Sequence, residues 1–362
     1  MNKEQQILSY IKHNPYISQQ ELANLVGLSR PAVANYIKSL TNQGEIKGRA
    51  YILNDKTYIT CIGGANIDRK AMAMEKVSLY SSNPVSTSES FGGVARNIAE
   101  NVSRLGISTR ILTTVGDDKE GQAVLEKCQQ DGIDVSHVWL LPSQRTGTYT
   151  ALIDTNGEMV VSLADMSIYD QLTPAMLEER WGHIAYSQVI MVDTNISTEC
   201  LAYLMERCQA ADIPLYMDPV SVAKTKKLPK RLDGVALILP NQDEAELLAG
   251  ISITSIQGAK AACQRILERG VQQVVITMGA EGVVYASSDQ SGHIPAISTE
   301  VVDVTGAGDA FAASVTYGLL AGHSLEKACQ IGVAAASLTL QTEASVAPQL
   351  NQEYLENLLK ES

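Results

Sequence analysis

Apolar residues near the start of the chain recur at intervals of three and four: Ile7, Leu8 and Ile11, then Leu22, Leu25 and Val26, then Val33, Ile37 and Leu40. Residues so spaced share one helix face, so three amphipathic helices are predicted, over residues 4–13 and from near 19 and 30. Polar punctuation supports these boundaries. Ser18-Gln19-Gln20-Glu21 has the form of a capping box, in which hydroxyl and carboxylate each accept a backbone N–H left unpaired at a helix start. Gly27 supplies a turn, Ser29 a cap, and Pro31 is tolerated in the first turn of the third helix. Residues 45–53 read as two strands around Gly48. Residues 1–56 thus have the order of a winged helix-turn-helix, although the same pattern suits a small three-helix packing or oligomerisation module.

The pattern changes at residue 57. Residues 58–62 form a short apolar run of the kind seen in strands buried on both faces, and it ends in Gly63-Gly64. Further runs at 110–115, 236–239 and 274–278 alternate with helical patterns near 98–105, 244–248 and 258–268. Such alternation predicts an α/β domain over 57–362, with a mostly parallel sheet and helices on both faces. One stretch differs. Residues 146–164 alternate apolar and polar around Asp154-Thr155-Asn156-Gly157, which is a hairpin signal. With extended residues at 77–90, it is expected to form a small β lid over the cleft, its strands near 75–90 and 146–165.

Composition adds a division of charge. The 362-residue chain carries a formal charge of −12, yet residues 1–57 hold seven Lys/Arg against four Asp/Glu. A basic segment on an acidic body suggests that nucleic acid meets the former. In a winged geometry Arg30, Ala32, Asn35 and Tyr36 would face base edges, while Lys38, Lys47 and Arg49 would reach phosphates. No apolar run is long enough to span a bilayer and residues 1–6 lack an apolar leader, so a cytoplasmic protein with no membrane contact is expected. The six cysteines show no Cys-x-x-Cys spacing and read as reduced core thiols, and five scattered histidines offer no metal pair.

The candidate chemistry centres on Val301-Val302-Asp303-Val304-Thr305-Gly306-Ala307-Gly308-Asp309-Ala310-Phe311. Gly306 and Gly308 free the backbone of Cβ atoms where an apolar helix opens, so N–H groups can converge on an anion at its positive end. Asp309 would stand in the same first turn, ionised at neutral pH from an ordinary value of about 4, and able to take a proton from an attacking hydroxyl. Read as bare residues, the stretch also suits a glycine-bearing helix start capped by Asp. Absences narrow the chemistry: there is no Gly-x-x-x-x-Gly-Lys-Ser/Thr loop and no protein-kinase catalytic set, and Gly306-Ala307-Gly308 lacks the third glycine of a dinucleotide fingerprint.

Asp-x-Thr-Gly-Ala-Gly-Asp-Ala-Phe resembles the C-terminal signature of the PfkB, or ribokinase-like, family of sugar and nucleoside kinases, and further motifs follow in the family's order from Tyr58 onward. The resemblance implies a ribokinase-like fold, with ATP and Mg2+ as cofactors and a homodimer as the assembly. It also implies that the amides of Gly306, Ala307 and Gly308 hold the transferred phosphoryl group and that Asp309 is the base. Asn66-x-Asp68 is similar to the family's sugar-hydroxyl contacts, although alone it suits an Asx turn. Gly92-Gly93 and Asn97 match the N-terminal substrate signature. Gly116-Asp117-Asp118 matches a run read as structural. Asn241 and Glu244 match the Asn-x-x-Glu motif, with Glu244 orienting Mg2+ through water and Asn241 near nucleotide phosphates; a plain helix cap is the other reading. Thr277, Gly279 and Gly282 match the ATP-binding turn. Asp303 and Thr305 match positions of a monovalent-cation site, which implies potassium. The segments around Asp165-Met166, Asp193 and 218–224 are most similar to the pseudouridine kinases of the family, which implies that Asp165, Met166 and Asp193 select the substrate. The expected activity is therefore ATP-dependent phosphorylation of a nucleoside 5′-hydroxyl, pseudouridine first; another ribosyl or hexose substrate is the enzyme alternative. A ligand-sensing DNA-binding regulator on a kinase fold is the alternative of another class.

Overall fold

The computed structural model describes residues 2–47 and 58–361. Helices α1 (Lys3–His13), α2 (Gln19–Val26) and α3 (Arg30–Asn42) form the N-terminal segment. The predicted capping box is present: Ser18 Oγ accepts the Glu21 amide at 3.2 Å and a Glu21 carboxylate oxygen accepts the Ser18 amide at 2.9 Å. Gly27 closes α2 at φ 67°, in the left-handed region that glycine adopts without strain. Ile7, Ile11, Leu22, Val26, Val33, Ile37 and Leu40 pack into one core, and truncating a fully buried one such as Leu22 to Ala would cost roughly 2–5 kcal/mol. Leu25 does not join them. It is 52% exposed, because the α2 stripe is Leu22, Ala23 and Val26, and Leu25 lies about 100° round the helix from the middle of that stripe. The strands expected around Gly48, and with them Arg49, lie outside the described residues.

Among the described residues the larger domain has fifteen strands. The first seven are β1 (Tyr58–Ile62), β2 (Asn66–Ala73), β3 (Val85–Gly92), β4 (Thr109–Leu112), β5 (Thr114–Gly116), β6 (Ile133–Asp134) and β7 (Trp139–Leu141). Then come β8 (Thr148–Ile153), β9 (Met159–Asp165), β10 (Ser187–Asp193), β11 (Leu215–Asp218), β12 (Val235–Ile238), β13 (Gln273–Thr277), β14 (Val283–Ser287) and β15 (Ser291–Ile294). Nine build one sheet in the order β15-β14-β13-β12-β11-β10-β1-β4-β6, parallel from β6 through β13. Alternate residues of each strand enter opposite cores: Val189 and Met191 lie in one, Ile190 and Val192 in the other. Both faces are thereby covered, as a parallel sheet requires. The single strand expected over 110–115 is broken at Thr113, and its second half, β5, pairs with β7 in a separate ribbon.

The lid is larger than expected. Its sheet runs β3-β2-β8-β9, and Asn66 and Asp68 belong to strand β2 instead of a loop. The chain runs from β1 to β4 and β6 on one side and returns to β10 on the other, so the strand order reverses between β1 and β10. Ligands gather at the carboxyl ends beside such a reversal, and the lid rises from this point.

Candidate active site

Gly306, at φ 80°, is the N-cap of the helix Ala307–Leu320, and no side chain caps that end. A Cβ added to Gly308 would meet nothing within 4 Å, so its surroundings are open to an incoming anion. Asp309 is 9% exposed one residue further on. Asn97, in helix α4 (Val94–Arg104), donates from Nδ2 to Asp309 Oδ2 at 2.6 Å. Arg96 holds Asn97 in turn, donating to its Oδ1, to Gly92 O at 3.0 Å and to Phe91 O at 2.7 Å, and pairing with Glu100 at 2.6 Å. Arg96 went unremarked in the sequence; its signal is the Arg96–Glu100 spacing within an otherwise buried helix face.

The ionisation expected for Asp309 is corrected by this setting. Burial pushes its carboxyl up to about 7, with Asp193 and Asp68 adding to the shift and the Asn97 hydrogen bond and Arg96 opposing it. Asp68 is raised too, chiefly by burial; Asn66 Nδ2 donates to its Oδ1 at 2.6 Å. Gly92 leaves room for that carboxylate, since a Cβ there would lie 2.2 Å from Asp68 Oδ2.

At the neighbouring strand ends, Asp218 closes β11 beside Asp193 of β10. Its carboxyl is held well above the ordinary range, by burial first and then by Asp309 and Glu244. Asp218 is a site residue whose role the sequence did not assign. Asn241 and Glu244 form the helix cap that was the plainer reading: Glu244 accepts from the Asn241 amide at 2.9 Å and from its Nδ2 at 2.8 Å. Thr277 pairs with Asn241 in an isolated parallel bridge, which joins the ends of β12 and β13. Gly279, at φ 57°, borders open space, whereas Gly282 sits at φ 88° and a Cβ on it would strike Ile294 O at 2.0 Å, so backbone angle and neighbouring chain both demand a glycine at 282.

Three of the candidate residues have partners that the sequence did not announce. Asp193, 1% exposed, directs its carboxylate at backbone: Oδ2 accepts from Gly64 at 2.8 Å and Ala95 at 3.0 Å, and Oδ1 from Asn195 at 2.8 Å. Its carboxylate thereby ties together the backbone around the site. Asp165 pairs with Thr148, which pairs with Ile67, so it shares the lid face of Arg69 and not that of Asp68. There it lines a cavity of about 450 Å³ with Arg69, Arg145 and Thr148. Asp303 is already bonded: Lys70 Nζ lies 2.6 Å from Oδ2, and Thr305 donates its amide at 2.8 Å and its hydroxyl at 2.7 Å to Oδ1. Burial raises this carboxyl, but Lys70 and Thr305 outweigh burial and hold it at about 2. Met166 packs toward Gly147 and Tyr169 at the base of the lid.

In the N-terminal segment Arg30, Asn35 and Lys38 are exposed on or at the start of α3, while Tyr36 is half-buried against the helical core and so offers only part of its ring. Lys47 is exposed, with its ammonium 5.8 Å from the Tyr58 ring centroid.

Comparison with known proteins agrees with both parts. Residues 56–352 match the model of the pfkB family of carbohydrate kinases, and residues 2–47 that of a winged helix-turn-helix DNA-binding family. A protein named "uncharacterized sugar kinase YeiI" from Escherichia coli is 32% identical over 97% of this chain and 96% of its own length. The pseudouridine kinase of the same organism is 34% identical over 83% of this chain and 95% of its own. Among solved structures, a carbohydrate kinase from Agrobacterium tumefaciens superposes with a TM-score of 0.75 at 31% identity, covering 84% of this chain and 97% of that one.

Proposed function

This chain belongs to the PfkB family of carbohydrate kinases and carries a winged helix-turn-helix before the kinase fold, and on that basis we propose that it transfers the γ-phosphoryl group of ATP to the 5′-hydroxyl of pseudouridine. The observation that carries the reaction is Asp309 held by Asn97 beside the uncapped helix start at Gly306–Gly308. Asp309 takes the hydroxyl proton as the substrate oxygen bonds to the γ-phosphorus and the bond to the ADP oxygen breaks. The first-turn amides bear the charge that develops on the phosphoryl oxygens. Asn66 and Asp68 meet vicinal hydroxyls of the sugar, and Thr277 and Gly279 border the nucleotide. An identity of 34% to a pseudouridine kinase supports the choice of nucleoside.

The residues fit a magnesium ion. Burial raises the carboxyls of both Asp218 and Glu244, and Glu244 adds to the shift at Asp218, so the ionised forms carry a penalty that a divalent cation would relieve. Magnesium bound with a nucleotide takes most of its ligands from water and phosphate, so one or two carboxylates suffice to hold it. Bound with ATP, magnesium supplies positive charge to the phosphates. ATP use and six buried, unpaired cysteines support a cytoplasmic setting. Coupled turnover with ATP and magnesium, with and without potassium, tests the reading against pseudouridine, uridine, cytidine, adenosine, ribose and fructose. Selective turnover of pseudouridine is expected, and without a need for potassium, because Lys70 already neutralises Asp303. Preference for another sugar or nucleoside would keep the chemistry and discard this substrate.

A second reading concerns residues 1–56, which we assign as a DNA-binding domain. It is supported by the exposed Arg30, Asn35 and Lys38. One promoter fragment among several is expected to shift selectively, with affinity falling as salt rises; salt-insensitive or sequence-blind binding would leave the segment an accessory module. If ligand alters that shift, the protein is also a regulator. We further assign a homodimer through the outer lid face, where Val161 and Leu163 are 46% and 65% exposed. Sedimentation is expected to show a dimer that Leu163→Lys disrupts.

A further inference from the structure

The lid joins the body where β2 starts, β3 ends, β8 starts and β9 ends, and two buried side chains of the body meet all of these junctions. Asp193 takes the amides of Gly64, just before β2, and Ala95, just after β3. Tyr169 stands in the short helix Ser167–Gln171 that follows β9, and it is 1% exposed. Its hydroxyl accepts the Ala65 amide at 2.9 Å and donates to the Ala65 carbonyl at 2.7 Å. The same hydroxyl lies 2.9 Å from where a Cβ of Gly147 would be, and Met166 Sδ 3.2 Å from it. Gly147, before β8, passes the restraint on, because its carbonyl accepts the Ile67 amide of β2 at 3.1 Å.

Neither group reaches the reacting atoms. The Tyr169 hydroxyl bonds only to backbone, and a phenol that both donates to and accepts from one residue fixes its orientation as well as its distance. Ala65 is the residue before Asn66, and Asp68 follows two further on the lid face turned to Asp309. A shift at Ala65 therefore moves both proposed sugar contacts together.

We propose that Tyr169 is a positioning residue for phosphoryl transfer: by pinning Ala65 and packing on Gly147 it sets the lid hinge, and through it the placement of Asn66 and Asp68 over Asp309. Closure against water depends on the same hinge, because a lid that rides loosely admits water to the phosphoryl group. The inference rests on the kinase reading for its catalytic consequence alone, and the hinge itself is open to test without any substrate.

The first test is amide hydrogen exchange on the full chain, comparing the parent with Tyr169→Phe. Exchange in β2, β3, β8 and β9 is expected to quicken by about ten- to a hundredfold, the scale of the two hydrogen bonds lost with the hydroxyl, while β10, β11 and β12 keep their rates. Uniform quickening, or none, would overturn the proposal. Gly147→Ala, which pushes on the same hydroxyl from the other side, is expected to give the same lid-only change and guards against a folding defect in the first variant. The second test is the ratio of ATP hydrolysis without acceptor to phosphoryl transfer with acceptor. Tyr169→Phe is expected to raise that ratio several-fold, whereas a merely less stable protein lowers both rates in proportion and leaves it unchanged, a result that would refute the positioning role. If lid exchange quickens but no acceptor in the panel is phosphorylated, the substrate assignment fails and the hinge stands.

Discussion

Asp309→Asn is expected to lower phosphoryl transfer by at least about a hundredfold, the scale of a lost general base, while the folded protein becomes no less stable at neutral pH. The two effects share one cause. Burial raises the Asp309 carboxyl to about 7, above its ordinary unfolded value near 4, so folding favours the protonated form. Its contribution to stability is accordingly full below the unfolded value and lost as pH rises through about 7. Above that point the fold carries a buried charge that an amide would not impose. Catalysis runs the opposite way, since only the ionised carboxylate accepts the proton. For the parent, kcat/KM should climb through neutrality with an inflection near 7, and the Asn variant should lose that inflection with its rate. Rate–pH profiles, together with urea unfolding on either side of neutrality, measure both limbs. An Asn variant that keeps its activity, or a parent whose rate ignores pH in this range, would remove Asp309 from the role of base.

The parts of this site that were legible from the amino-acid string are those that depend on near neighbours. Ser18 with Glu21, Gly27 and Ser29 announce the helix-turn-helix, because caps and left-handed turns are decided within four residues. Gly306 to Asp309 announces the glycine-opened helix start for the same reason. What escaped depends on distant chain. Asn97 and Asp309 are 212 positions apart, and only the packed sheet brings the amide to the carboxylate. The strand β2 reads Asn-Ile-Asp-Arg-Lys-Ala-Met-Ala, with little intrinsic preference for a strand; pairing with β3 and β8 on either side makes it one. The face of Asp165 turns on register, where one residue of slip would carry it across the sheet. The shift at Asp309 likewise required knowing how deeply it is buried, which a motif does not state.

The two glycines of the proposed anion-binding turn should fail in different ways when given a methyl group. At Gly306 the backbone sits at φ 80° and a Cβ would lie 1.9 Å from the carbonyl oxygen of Ser345. Gly306→Ala therefore combines a left-handed strain of about 1–2 kcal/mol with a backbone collision, and loss of activity is expected together with a marked fall in melting temperature. At Gly308 the methyl would meet nothing within 4 Å, inside a helix that an alanine favours over a glycine by about 1 kcal/mol. Gly308→Ala should thus fold at least as well as the parent. Its methyl would nonetheless stand in the space from which phosphoryl oxygens approach the first-turn amides, so a fall in kcat on the order of a hundredfold is expected, as for a lost oxyanion donor. Melting curves and kcat measured on the pair separate a glycine required by the fold from one required by the reaction. Full turnover by Gly308→Ala would mean that the transferred group is held elsewhere, and the helix start at Gly306–Gly308 would then be structure alone.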